Sequence, residues 1–127
     1  MKLTIELNEK QAKAVIDATD LQSRIMSGQL EDILLRAIPI TKNIDRSAAR
    51  QKIQELKEIL FPELDSGELY GVFSDQLDME AKILYDIHQA IRYKYSWHQK
   101  PEGGFQTWFD DPMRTSDFEI PKVTVKD

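Results

Sequence analysis

A single glycine constrains this chain more than any other residue. Two helical patterns meet at Ser27-Gly28, inside the stretch Asn8–Ile38, and glycine in a helix interior costs about 1 kcal/mol relative to alanine. Before it, Asn8 followed three residues later by Gln11 forms a capping-box pattern, which predicts a helix from Glu9 to about Met26. Ala12, Val15, Ile16 and Thr19 share one face of that helix, widened by Leu21 and Ile25. After the glycine, Leu30, Ile33, Leu34, Ala37 and Ile38 give a second helical segment an apolar face, and Pro39 ends it. Whether Gly28 makes a bend or a true turn stays open at this level.

Two further helices follow. One is capped by Asp45 or Ser47 and runs to about Leu60, with Ala49, Ile53, Leu56 and Leu60 at helical spacing. The longest spans about Gln76–His98, with Leu77, Ala81, Leu84, His88, Ile91 and Tyr95 in one seam and Ile83, Ile87 and Ala90 beside it. The ends of the chain alternate in polarity. Leu3, Ile5 and Leu7 point one way in Lys2–Leu7, and Phe118–Val125 reads as an edge strand interrupted by Pro121. The expected fold is therefore α+β: one domain over residues 1–127, with three to four helices and a small antiparallel sheet formed by the N- and C-terminal strands.

Composition excludes several functions. The 127 residues suit one domain with a modest core. There is no cysteine, so disulfides, thiolate metal sites and cysteine nucleophiles are ruled out. The net charge of -5 argues against general nucleic-acid binding, which rests on phosphate neutralisation. Apolar runs reach only about four residues, too short to span a membrane, and the start of the chain lacks the apolar block of a signal peptide. A cytoplasmic location is expected.

Catalytic motifs are missing. There is no Gly-x-Ser-x-Gly and no phosphate loop. The two histidines, His88 and His98, project roughly 80° apart on one helix and do not chelate together. Asp110-Asp111 reads as a pair of turn residues. No catalytic residue, metal or cofactor is assigned.

Two clusters suit a small anionic ligand. Asp20 and Arg24 lie one turn apart, and Gln29 stands just past the break. In one reading Asp20 and Arg24 are a surface ion pair; in the other Asp20 orients the Arg24 guanidinium toward a phosphate. The second cluster is Arg92, Tyr93, Trp97 and His98, followed by Arg114 across the tail, where aromatic faces beside arginine suit a nucleobase and its phosphate. The alternative there is that Trp97 and Trp108 pack the tail onto the long helix.

Several runs carry a resemblance. They are Leu3-Thr-Ile-Glu-Leu7 leading into Ser23-Arg24-Ile25 and Gly28-Gln29, then His88-Gln89-Ala-Ile-Arg92, Trp97-His98-x-x-Pro101-Glu-Gly-Gly104, and Phe109-Asp-x-Pro112-Met113. Through them the chain resembles an uncharacterised family of small proteins encoded by bacteriophages and prophages, over most of its length, with about Ile40–Asp75 matched least. The resemblance implies a phage setting, and no chemistry. By analogy of class, the expected function is non-enzymatic binding of a nucleotide-type ligand by a homo-oligomer, an anti-defence sponge for a bacterial immune signalling nucleotide. The alternative is a protein–protein interaction inhibitor of a host or defence enzyme. The homo-oligomer is expected because the long helix offers two adjacent apolar seams.

Overall fold

The computed structural model describes residues 1–105 and 107–127. Three helices form the frame: α1 (Glu9–Met26), α2 (Arg46–Leu60) and α3 (Met79–Gln99). A π-helical turn, Ile33–Ala37, follows α1, and a 3₁₀ turn, Thr107–Phe109, follows α3.

The α1 capping box forms as expected. The Asn8 side chain accepts from the Gln11 amide, and the Gln11 side chain accepts from the Asn8 amide. At the other end Gly28 makes a true turn. Its φ of +97° lies in the left-handed region. The Gln29 amide donates to the Arg24 carbonyl at 2.9 Å and the Gly28 amide to that of Ile25 at 3.1 Å. These two bonds are the Schellman closure of a helix. The loop after α2 packs on this turn: the Tyr70 amide donates to the Ser27 carbonyl at 2.9 Å. A methyl on Gly28 would lie 2.7 Å from Leu64 Cδ1.

The second helical segment shrinks to the π-helical turn, closed by the Ile38 amide on the Ile33 carbonyl at 3.2 Å. Tight turns, closed by the Asp32 amide on the Gln29 carbonyl at 3.2 Å and the Ile33 amide on the Leu30 carbonyl at 3.0 Å, take up the start of the segment, and Pro39 stops it. Of the two proposed caps for α2, Asp45 serves, accepting from the Ala48 amide at 2.9 Å.

Helices α1 and α3 pack antiparallel. Ser23 Oγ donates to the Ala81 carbonyl at 2.9 Å, and farther along Nδ1 of His88 donates to the Ile16 carbonyl at 2.8 Å. At the far end the Gln99 amide donates to the Glu9 carboxylate. The C-terminal segment is clasped to α3 by two buried side chains. Gln89 brackets the Met113 backbone, donating to its carbonyl at 3.1 Å and accepting from its amide at 3.3 Å. Asp86, 2% exposed, accepts from both the amides and the hydroxyls of Thr115 and Ser116, at 2.6 to 3.1 Å.

The expected α+β fold with an antiparallel sheet is overturned: the structure is all-helical, with no strand among the described residues. Lys2–Leu7 and Phe118–Val125 are non-helical and largely exposed, and they make no backbone ladder. A surface ion pair just past the second segment, Lys126 Nζ to Glu6 Oε1 at 3.0 Å, joins the two ends of the chain. Alternation shows only that a segment has an apolar face. A strand also needs a neighbour for its backbone groups, and Pro121 offers no amide to one. No helix among the described residues is long and apolar enough to cross a membrane.

The Asp86 clasp generates the first prediction. Burial pushes its carboxyl up, but the bonds from Ser116 and Thr115 outweigh burial and hold it below its usual range. A depressed folded-state pKa contributes stability that is present above the ordinary value near 4 and is lost as pH falls through the lower one. Asp86→Ala also leaves the buried donors of Thr115 and Ser116 unpaired. Urea unfolding at neutral pH is expected to show a loss of about 3–5 kcal/mol, with part of the acid sensitivity below about pH 4 removed.

Candidate functional site

The last turns of α1 and the segment beyond Gly28 bring four charged side chains into a closed ring. Arg24 Nε lies 2.9 Å from Asp20 Oδ1, and Arg24 Nη1 3.5 Å from Asp32 Oδ2. Arg36 closes the circuit, with Nη1 3.2 Å from Asp20 Oδ2 and Nε 3.5 Å from Asp32 Oδ1. Each carboxylate thus serves both arginines, and the formal charges cancel. Both aspartates are buried, while the arginines are partly exposed. Gln29 joins through its side-chain oxygen, 3.3 Å from Arg24 Nη1, and its amide donates to Ser27 Oγ at 3.2 Å.

Asp20, Arg24 and Gln29 therefore stand together, as the sequence suggested. Asp32 and Arg36 were missed. Their signal was present: Asp20-x-x-x-Arg24 and Asp32-x-x-x-Arg36 repeat one i, i+4 spacing, and a turn that folds one onto the other makes a ring. Burial opposes the charge on Arg24, but the Asp20 bond and the charges of Asp20 and Asp32 outweigh it and raise its pKa. Much of its hydrogen-bonding fork is engaged within the protein.

The second cluster is dispersed. Arg92 and Trp97 lie five residues apart on α3, about 140° around its axis, so they leave the helix on different sides. Trp97 holds the tail: its Nε1 donates to the Phe109 carbonyl at 3.3 Å, and its ring meets that of Phe109 edge-on with centroids 4.9 Å apart. Gly103, at φ +75°, lies so close that a methyl there would sit 3.1 Å from the Trp97 ring. Arg114 is exposed, next to the clasped Met113. Arg92 is half-buried, and no ion pair among the described residues includes it. Its buried Nε finds no hydrogen-bond partner among the described residues, and neither does Ser96 Oγ one turn on.

His88 lies between the two regions, buried, with Nε2 3.9 Å from Asp20 Oδ1. The Ile16 carbonyl only accepts, so Nδ1 carries the proton. Burial lowers the His88 pKa most; the Ile16 bond and Asp20 raise it, and Arg92 and Arg24 lower it further. Among the described residues no group of three or more His, Asp or Glu side chains is placed to hold a metal ion. No protein-family model, curated protein or solved structure matches the chain.

Two predictions follow from these charges. Arg24→Ala opens the ring and leaves two buried carboxylates to share Arg36. Discounted for partial exposure, the loss of unfolding free energy in urea is expected to be about 1–3 kcal/mol. His88, neutral and depressed, contributes stability that is present above its ordinary pKa near 6.5 and is lost as pH falls through the lower folded value. Unfolding free energy is expected to decline from pH 7 toward pH 5, and His88→Gln to flatten that decline.

Proposed function

We propose that the protein is a non-enzymatic phage protein that binds a small anionic, nucleotide-type ligand in the cytoplasm of a bacterial host. In this reading it is an anti-defence sponge that sequesters an immune signalling nucleotide as a homo-oligomer. The single observation that carries the proposal is the unequal treatment of the arginines. Arg24 and Arg36 are neutralised by Asp20 and Asp32, whereas Arg92 is half-buried and, among the described residues, has no paired carboxylate and no acceptor for its Nε. A guanidinium held in that state is costly unless an anion returns its missing interactions, and a phosphate does so in its own fork geometry. Arg24 and Gln29 keep some exposure, but the Arg24 fork is held by Asp20 and Asp32.

Surface apolarity supports the oligomer. Leu56, Ile59 and Leu60 on α2 are 42%, 74% and 56% exposed, an apolar ledge that a second copy could cover. The same ledge on an acidic chain favours the second reading, in which the protein docks on and blocks a host or defence enzyme.

Native mass spectrometry of protein purified from the bacterial cytoplasm separates the two. The sponge reading expects a multiple of the 14.8 kDa chain carrying a nucleotide-sized adduct. A bare 14.8 kDa monomer, with a host protein recovered in stoichiometric amount, would overturn it in favour of the inhibitor.

A further inference from the structure

The contact between α1 and α3 opens at one end into a groove. His88, Arg92, Tyr95 and Gln99 follow one another along α3 at spacings of four, three and four, which places them on one stripe. The ends of this stripe are fixed on α1: His88 meets Ile16, and Gln99 meets Glu9. Antiparallel packing therefore sets Arg92 and Tyr95 against the α1 residues between those contacts. At the open end lies a groove of about 390 Å³ lined by Glu9, Lys10, Lys13, Tyr95 and Gln99. The groove is open to solvent: of its lining residues only Tyr95 is half-buried, and the others are exposed.

The charges in the groove are unusual for a chain of net charge -5. Its one carboxylate, Glu9, is engaged by the Gln99 amide. Lys10 has no ion pair among the described residues, and Lys13 has only the exposed i, i+4 partner Asp17. One turn along α3 from Tyr95 comes Arg92, its buried Nε lacking an acceptor among the described residues, and the hydroxyl of Ser96, likewise unpartnered among them, lies on the adjoining face. Two lysines thus line the groove beside an aromatic ring, and a third cation, Arg92, stands one turn beyond it on the same stripe of α3.

We infer that this groove holds the diphosphate portion of a small ligand, with Lys10 and Lys13 in the groove, Arg92 one turn beyond it along the seam and Tyr95 against a planar ring. A single carboxylate would answer only one of the three cations, while a diphosphate spans more than one. The inference rests on the anionic-ligand reading above and gives that ligand a place of which the sequence marks only Arg92.

The probe is inorganic pyrophosphate, titrated calorimetrically into the full chain. Lys10→Gln/Lys13→Gln changes two exposed side chains, so its melting temperature is expected to match the wild type. Its affinity for pyrophosphate is expected to fall roughly tenfold or more, the scale of a lost charge-assisted bond. Arg92→Gln is expected to weaken binding at least as much. Equal affinity in the wild type and the double variant would overturn the inference, as would no heat from the wild type at ~10 mM pyrophosphate, far weaker than a charge-assisted site allows. The two failures remain distinct. If a nucleotide adduct persists on the double variant, the groove is wrong and the sponge reading stands. If the wild type carries no adduct, the sponge reading falls, and the titration still decides whether the groove takes phosphate.

Discussion

The antiparallel seam between α1 and α3 is the contact on which the rest of the molecule depends, and polar bonds fix it. Six apolar residues are buried among the described ones, against twelve polar or charged residues. Apolar burial is non-directional and tolerates helix sliding. A buried hydrogen bond does not, because a slip of one turn leaves its groups unpaired. Ser23 on the Ala81 carbonyl and His88 on that of Ile16 thus fix both register and rotation. Asp86 and Gln89, on another side of α3, then fix where the tail returns.

The same economy governs charge. Asp20 is buried, and it is tolerated because Arg24 and Arg36 both reach it. Asp32 receives the same two arginines, so the ring needs no outside ion. The Schellman turn at Gly28 makes this possible by folding the second Asp-x-x-x-Arg pair back onto the first. Its usual apolar contact is replaced by the bond between Arg24 and Gln29. A cation inside such a ring is a poor candidate for a tight external anion. Arg92, left out of it, is a better one.

Local signals in the sequence were read well. The box at Asn8 and Gln11, the cap at Asp45 and the stop at Leu60 each depend on residues within one turn of chain, and each forms. The two strands were misread because alternation reports one face and says nothing of a pairing partner. The closeness of Asp20, Arg24 and Gln29 was legible, since all three flank one glycine. The return of Arg36 to Asp20 required knowing that Gly28 turns and does not bend. The Asp86 clasp joins residues 29 and 30 positions apart, and no pattern in a single sequence links them. Arg92 was singled out for its type, but pairing it with Trp97 ignored the helix rotation that sets Tyr95 closer to it.

Arg24 is held by the protein, and Arg92, with no ion pair among the described residues, is the arginine proposed to meet an anion. Arginine Nε–H resonances in a ¹⁵N-resolved NMR spectrum report on both groups at once. The account predicts that the Arg24 signal, bonded to Asp20, is protected from solvent exchange and stays in place as pyrophosphate is added, while the Arg92 signal moves and saturates. A moving Arg24 signal beside an unmoved Arg92 would contradict it.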